Sequence, residues 1–475
     1  MKEQEVHREV VIKPQEGFQM QFASSCVDVV FGGGNLGGGK GALLDSHIVT
    51  PYGLRKLRDI EVGSIISNPD TGGQERVIYL HPISMFPFYR ISFSDGTYMD
   101  CTEGHLWKAR VAGKQSKRRN SDMEKEKYDG WRLMSAIQIY EWMKNKNKGM
   151  YKGKNLNIPL PEPVQFTRPI TPTTPRPIAP YVLGALIGDG CMGESICDRC
   201  IYLCTPDEFI VEKFKSYGYD MSKKYANDID SCATYIISNN NIVEDIKTLK
   251  MNGCTAANKF IPKFYKYSTI EERKELLCGL LDTDGYVDDR GHVSYTTISK
   301  KLAEDVAFVV RSLGGRSSIT SKKAGYKDGD GVFHSCNEAY TIWICTKFND
   351  EIVSLPKKKN RVKKYGYVEI DKDLKLEKTI VSAEYIGMKE GKCISVDNPS
   401  GLYMVDDFTV THNSFALVLA LAEPLMTDGD FRAVITRRSL QSQKTGGSFV
   451  DTFKAIFGDY CSVKTADSPR ISFPS

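Results

Sequence analysis

Two pieces of one phosphate-binding loop stand on either side of a long insertion. Gly34-Asn35-Leu36-Gly37-Gly38-Gly39-Lys40 follows the apolar run Val27-Asp28-Val29-Val30-Phe31. In such a loop, backbone amides cradle phosphates, the lysine reaches them, and the next residue must supply a hydroxyl to Mg²⁺. Gly41 has no side chain to supply it. The hydroxyl stands instead at Ser414, heading the apolar, helix-prone run Ser414–Ala422. Joining Lys40 to Ser414 restores G-x-x-x-x-G-K-S between a strand and a helix, with Gly34, Gly39, Lys40 and Ser414 as nucleotide contacts. ATP with Mg²⁺ is therefore expected only once the flanks are joined, and residues 41–413 read as a segment meant to leave.

The far edge of that segment reads Thr411-His412-Asn413, with Ser414 next. An Asn side-chain amide can attack its own backbone carbonyl, closing a succinimide and breaking the chain. A neighbouring His can polarise that carbonyl or supply a proton. A serine beyond it can carry an acyl group across the junction. By itself the tripeptide is an ordinary loop sequence, but here it lies on the seam of a split phosphate loop.

With both edges in view, the segment resembles an intein, a self-splicing element. Gly41-Ala42-Leu43-Leu44-Asp45-Ser46-His47-Ile48-Val49-Thr50 is similar to the first intein block. Asp95 to His105 is similar to the block carrying Thr-x-x-His, which implies that Thr102 and His105 contact and strain the upstream scissile bond. Cys393-Ile394-Ser395-Val396 and Tyr403 to Asn413 are similar to the two C-terminal blocks. Gly41 departs from the common pattern, because inteins usually begin with a Cys or Ser that attacks the upstream carbonyl. Class 3 inteins move this nucleophile to an internal Cys. They are marked by a Trp two residues after the block His, a Cys in the penultimate block and a Thr before the terminal His. Trp107, Cys393 and Thr411 occupy those positions. The plainer reading of Cys393 is a small buried hydrophobe.

The resemblance implies a sequence of acyl transfers within one chain and without a cofactor. Cys393 as thiolate takes the Lys40 acyl group from the Gly41 amine. Ser414 then takes it as an ester, Asn413 cyclises with help from His412, and an oxygen-to-nitrogen shift leaves a Lys40–Ser414 amide. Direct attack by Ser414 on the Lys40–Gly41 bond is the alternative route. Leu402 stands about where many inteins carry a further His, so Asn413 cyclisation is expected to lean on His412.

The elements that must position these residues are legible in outline. Residues 41–150 carry short strand-like runs such as Val77–Leu80 and Phe88–Phe93, with turns at Asp70–Gly73 and Asp95-Gly96, an all-β pattern. Lys114–Lys127 reads as an exposed loop, and the Pro-rich stretch from Pro159 to Pro180 as a linker. Residues 178–360 alternate helical and strand-like pieces. Lys357–Lys364 reads as a basic linker, solvated or touching DNA phosphates. The expected partition is 1–40 and 414–475 as flanks, 41–150 and 361–413 as a discontinuous β domain, 151–177 as linker and 178–360 as an α/β insert. By resemblance the β domain is the Hint fold, which brings both ends of the segment together.

Inside the insert, Leu183-Gly184-Ala185-Leu186-Ile187-Gly188-Asp189-Gly190 and Leu277-Cys278-Gly279-Leu280-Leu281-Asp282-Thr283-Asp284-Gly285 repeat a pattern, their acids 95 residues apart (284 − 189). Small residues allow close helix approach, and each Asp-Gly suits a helix stop. Both stretches resemble the LAGLIDADG motif of homing endonucleases, which implies an α+β domain with pseudo-two-fold symmetry that acts on double-stranded DNA. The resemblance sets Asp189 and Asp284 side by side as Mg²⁺ ligands, since paired carboxylates require a cation. Lys259 stands where the family has a basic helper, and an ordinary surface lysine is the alternative. Cys191, Cys197, Cys200 and Cys204 could hold zinc, although no second C-x-x-C or His pair accompanies them.

Composition sets the bounds. The 475 residues are 41% hydrophobic and 26% charged, with a formal net charge of +5. Several globular domains fit that length. With no signal peptide and no apolar run of spanning length, the expectation is a soluble protein without membrane contact. Thirteen scattered cysteines suit a reducing cytoplasm. The joined flanks resemble the start of a phage terminase large subunit, a DNA-packaging ATPase of α/β fold, through the loop, Gly17-Phe18-Gln19 and the strand Ala433–Thr436 before Arg437-Arg438. That likeness implies a packaging motor as the host's partner, in the cytoplasm of a bacterial cell infected by or carrying a phage, and Gln19 either touches adenine or is an ordinary polar residue. Two rival functions stay open: an endonuclease whose splicing half has decayed, and a P-loop ATPase with a stable insertion.

Overall fold

The computed structural model describes residues 29–32, 41–113, 130–167, 178–192, 201–225, 232–238, 241–327, 333–364, 377–398, 400–412, 433–436, 462–464 and 470–472. The chain divides into two compact units, Gly39–Asn413 and the flanks Met1–Gly38 with Ser414–Ser475. In the flanking unit, Val29–Gly32 pairs in parallel with Ala433–Thr436, Val29 opposite Ala433. Ser462–Lys464 and Arg470–Ser472 form an antiparallel pair. Gln19, Gly34, Gly39, Lys40, Asn413, Ser414 and the run Ser414–Ala422 lie outside the described residues.

The outer part of the larger unit is an eleven-stranded antiparallel sheet. Its path runs Ala42–Leu43, Tyr98–Thr102, Ser84–Phe93, Glu377–Lys392, Lys154–Pro159, Leu106–Gly113, Thr409–His412, Leu402–Val405, His47–Thr50 and Gly53–Lys56, with Arg132–Ser135 beside Leu106–Gly113. Ala42–Leu43 also pairs with the end of Glu377–Lys392, so the path folds back on itself there. Alternation decides the faces. In Leu402–Val405 all four residues are buried, Tyr403 and Val405 in one core, Leu402 and Met404 in another.

Two expectations change in this region. The all-β reading of 41–150 missed helix α1 (Ala136–Asn147), which Ser135 and Gln138 start with a reciprocal capping box. The stretch 151–177, read as linker, contains the strand Lys154–Pro159, bonded on both sides within the sheet. Beyond it, Val164 and Phe166 are buried.

The inserted part is built twice from the same parts. The first copy holds α2 (Pro180–Asp189), α3 (Glu208–Ser216) and the strands Gly190–Cys191, Ile201–Thr205, Met221–Tyr225 and Ala233–Ile237, followed by the short helices α4 (Ile242–Thr248) and α5 (Lys263–Lys266). The second holds α6 (Ile270–Thr283), α7 (Lys300–Ser312) and the strands Gly285–Val287, Val293–Thr297, Arg316–Lys327 and Phe333–Cys345. In each four-stranded sheet the order is first, second, fourth, third. Helices α2 and α6 pack together at glycines. A Cβ on Gly184 would lie 2.2 Å from the Leu276 carbonyl oxygen, and one on Gly279 would lie 2.0 Å from that of Tyr181.

Both helices stop at their Asp-Gly, α2 with Gly190 and α6 with Asp284 as cap. Gly190 has φ −78°, so the stop uses no left-handed glycine cap. Gly190 and Gly285 are required for space: their Cβ atoms would fall 2.3 and 2.4 Å from the carbonyl oxygens of Leu186 and Leu281. The basic run at Lys357–Lys364 is also no linker. It forms helix α8 (Pro356–Lys364), carrying the inserted part past the expected boundary at 360.

Candidate functional site

Two groups of residues hold the chemistry, one in the outer sheet and one at the foot of α2 and α6. In the outer sheet, register assembles what the sequence scattered. Ala42 sits opposite Lys392 on one neighbour and Cys101 on the other. One residue earlier, Gly41 accepts a hydrogen bond from the Thr102 amide at 3.0 Å. Its missing side chain is occupied by the backbone of the residue before Cys393: a Cβ would lie 2.7 Å from the Lys392 oxygen and 2.9 Å from its carbonyl carbon. Gly41 therefore faces Thr102 on one side and the Lys392-Cys393 backbone on the other. Cys393 is 1% exposed, in keeping with the buried-hydrophobe reading as well as with a sheltered nucleophile.

His105 follows Thr102 through a turn, its amide bonded to the Thr102 carbonyl at 3.0 Å. Its Nε2 is hydrogen-bonded to the Thr411 Oγ1, and that hydroxyl donates to the Leu106 carbonyl at 3.3 Å. The Thr411 hydroxyl therefore bridges the His105 ring and the Leu106 carbonyl. Trp107 is fully buried with its ring edge-on to His105 at 5.7 Å, so two of the three marker positions, Trp107 and Thr411, meet on His105. The Thr102 hydroxyl is fully buried and has no partner among the described residues. His412 lies opposite Leu402 and Leu106, so the leucine standing in place of a further His is its direct cross-strand neighbour.

Sequence reasoning missed two residues here. Tyr403 is buried opposite Thr411, and burial holds its phenol well above the usual range, with Cys393 and Cys101 nearby. His81 donates its backbone amide to the Cys393 carbonyl at 2.9 Å, and its Nε2 lies 3.1 Å from the Ser395 hydroxyl. A lone His after the strand-like run Val77–Leu80 gave no signal, because its relation to Cys393 exists only in the pairing of distant strands.

At the foot of α2 and α6 the two expected acids meet. Asp189 ends α2 and Asp284 caps α6. Burial, and then the Asp284 charge, pushes the Asp189 carboxyl up to about 6. Burial also raises Asp284, with Lys259 and Lys358 opposing the rise. Lys259 is no surface lysine: it is 8% exposed and its Nζ donates to the carbonyls of Gly188 at 2.6 Å and Gly190 at 3.0 Å. Burial lowers its pKa against the pull of both acids.

A second lysine mirrors it. Lys358 on α8 donates to the carbonyls of Leu281, Asp282 and Thr283 at 2.8–2.9 Å. Asp282 returns the favour, accepting the Ser354 and Leu355 amides at 2.8 Å ahead of α8. Each motif helix thus has a lysine on its last carbonyls, where the helix dipole favours a cation. The basic run concealed this residue, since nothing in it distinguishes Lys358 from its neighbours.

Two carboxylates whose charged forms repel, backed by two lysines, suit a hard divalent cation with water or phosphate oxygens completing its shell. Among the described residues no group of three or more His, Cys, Asp or Glu could hold a metal alone. Of the cysteines weighed for zinc, Cys197 and Cys200 lie outside the described residues, and the Cys204 sulfur faces Cys232 at 3.0 Å.

Residues 271–349 match the LAGLIDADG-like domain family. Among curated proteins, the chain is 26% identical over 381 residues to the replicative DNA helicase DnaB of Mycobacterium intracellulare, covering 80% of this chain and 59% of the helicase. The chain thus spans about three-fifths of that relative's length. Among solved structures it is similar to a variant of the gp41-1 intein (30% identity, 15% of this chain and 54% of that one, TM-score 0.14). It is also similar to the homing endonuclease I-DmoI in complex with DNA and Mn (14% identity, 39% and 93%, TM-score 0.24). Residues 271–349 form a LAGLIDADG-like domain, set within a chain that is similar to inteins.

Proposed function

We propose that the chain is a self-splicing element that excises residues 41–413 and joins Lys40 to Ser414, and that it carries its own DNA endonuclease. The observation that carries the splicing reading is the register around Gly41, with Thr102 on one neighbour, Lys392-Cys393 on the other, and Thr411-His412 in the same sheet.

The Cys393 sulfur attacks the Lys40 carbonyl carbon, the bond to the Gly41 nitrogen breaks, and the amine leaves with a proton. Gly41 makes the approach possible, since any side chain would collide with the Lys392 backbone. The Thr102 amide holds the Gly41 carbonyl. The Ser414 oxygen then attacks the new thioester and returns the proton to sulfur. The Asn413 amide nitrogen closes on its own carbonyl, with His412 assisting proton movement, and releases the insert. Nitrogen attack on the Lys40–Ser414 ester finally forms the amide, and no external reductant, oxidant or nucleotide is consumed.

For the endonuclease, Asp189 and Asp284 would hold Mg²⁺, which activates water and steadies the leaving oxygen of a phosphodiester. Lys259 and Lys358 fix the carbonyls flanking both acids and contribute positive charge toward the DNA backbone. The flanks are read as the start of a phage terminase-like ATPase that binds ATP and Mg²⁺ only after joining, in a bacterial cytoplasm, as part of a packaging motor.

Intact-mass spectrometry of the freshly expressed chain beside its Asn413→Ala variant tests the splicing reading. An excised 41–413 species and a ligated species from the wild type alone support it. A single 53.3 kDa chain in both samples refutes it and leaves the endonuclease as the activity.

A further inference from the structure

The strand that carries Thr411 and His412 begins in a turn that its own sequence does not favour. Asp407 and Phe408 have φ of 51° and 58°, and the Thr409 amide closes the turn onto the Asp406 carbonyl at 3.1 Å. Two consecutive positive φ values are the habit of Asn-Gly in type I′ turns. For a bulky residue such as Phe this is a genuine outlier, a strain that persists only where surroundings over-determine it.

Part of the surroundings here belongs to the inserted domain. Arg311 donates from Nη1 to the Asp407 carboxylate at 2.7 Å. Phe308 meets Phe408 edge-on at 5.1 Å. Both lie on α7 three residues apart, hence on one face. Arg311 is itself fixed by a bond from Nη2 to the Ser317 carbonyl at 3.2 Å. Phe408 is 2% exposed, in a small core with Val164, Phe166, Leu402 and Met404. Each strained position therefore has a contact from α7, an ion pair at Asp407 and an aromatic contact at Phe408, and Phe408 is packed by the outer sheet as well. On the near side, Asp406 is fixed to the outer sheet: its carboxylate accepts the His47 amide at 2.7 Å.

We propose that α7 of the LAGLIDADG-like domain is a positioning element for the downstream splice junction, with Arg311 and Phe308 holding the Asp407–Phe408 turn and thereby the register of Thr409–His412. This rests on the splicing reading. Thr409 and His412 span a single strand paired with Leu402–Val405. If the turn relaxes to a conformation natural to Asp-Phe, the strand slips or frays at its start. His412 and Thr411 then lose their places opposite Leu402 and Tyr403. The upstream centre at Gly41 and Cys393 is pinned by other strands and keeps its geometry.

The test uses the full chain with Cys393→Ala, which blocks the upstream step, so that release of residues 414–475 reports Asn413 cyclisation alone. Arg311→Ala is expected to slow this release about tenfold, and Phe308→Ala at least as much. Replacing the turn by Asp407→Asn with Phe408→Gly supplies the residues the geometry wants. In that background Arg311→Ala is expected to change the rate less than about twofold. Hydrogen exchange of the 409–412 amides reads the turn without any splicing and is expected to quicken about tenfold in Arg311→Ala, again only with the native turn.

Unchanged exchange and release in Arg311→Ala overturn the proposal, as does a slowing that the Asn-Gly turn fails to rescue. Exchange that responds while no variant ever releases residues 414–475 upholds the role of α7 in holding the turn and sinks the splicing reading instead.

Discussion

Gly279→Ala sets two effects of opposite sign against each other at the centre of the inserted domain. Alanine is a better helix former than glycine by about 1 kcal/mol, and Gly279 lies well inside α6. Propensity alone therefore predicts a more stable helix. The new Cβ would lie 2.0 Å from the Tyr181 carbonyl oxygen and 2.7 Å from the Ala185 nitrogen, both backbone atoms of α2, where ordinary contact begins at 3.4 Å. Helices α2 and α6 must part by more than 1 Å, with no side chain able to swing aside. Overpacking of this kind costs ~3 kcal/mol or more, and gaps of that size forfeit a quarter to a half of each dispersion contact. Leu186, Leu276, Leu277 and Leu280 all lose contacts, being fully buried there. The net expectation is a loss of about 2 kcal/mol or more after the propensity gain is subtracted.

A chain of several domains need not unfold in one step, so the assay is amide hydrogen exchange followed by mass spectrometry. Peptides from 180–189 and 270–283 should exchange about thirtyfold faster or more, at ~1.4 kcal/mol per tenfold, while peptides from 84–93 stay unchanged. Unaltered or slower exchange in α6 would mean that propensity wins and that the close helix approach is not what glycine is there for.

Gly41→Ala should lower thiol-induced release of residues 1–40 about tenfold or more by pushing the Lys392 backbone away, a shift worth ~1.4 kcal/mol; Cys393→Ala should abolish it, and persistent release there would favour direct attack by Ser414. Asp189→Asn should stabilise the metal-free inserted domain at neutral pH. The folded carboxyl holds its proton up to about 6 against 3.8 for the ordinary group, so its favourable contribution is complete below 3.8 and lost as pH rises through 6. Allowing for its partial exposure, the gain above pH 7 is about 1–2 kcal/mol and vanishes near pH 4; equal hydrogen-exchange protection at both pH values refutes it. Lys358→Met leaves three α6 carbonyls without their donor, and the Gly285–Val287 amides should exchange faster by about 2 kcal/mol; no change would show that water replaces the amine without loss.

The residues that do the proposed chemistry were legible one by one. Gly41 lacked a hydroxyl, Asn413-Ser414 suited cyclisation and acyl transfer, and the repeated apolar run ending in Asp-Gly marked two equivalent helices; these are local properties of side chains and short periods. Helix α1 and helix α8 were not legible as elements. Ser135 and Gln138 form an ordinary capping box that stands out only once the helix is known, and the Lys-rich start of α8 hides an amphipathic turn. The residues that hold the chemistry in place were invisible for a deeper reason. His81 beside Cys393 (393 − 81 = 312 residues apart), Lys358 on the α6 carbonyls (75 to 77 apart) and Arg311 beneath Asp407 (96 apart) are distant partners, and such partnerships depend on strand register and helix packing. Gly190 is the clearest case: it stands at the helix stop its sequence suggested, but with a φ of −78° and the Leu186 carbonyl 2.3 Å from a would-be Cβ, glycine is needed there for space and not for a left-handed cap. Sequence alone determined which atoms can react. Tertiary structure decided which of them meet, because close approach is set by the packing of backbones that the local residues do not themselves encode.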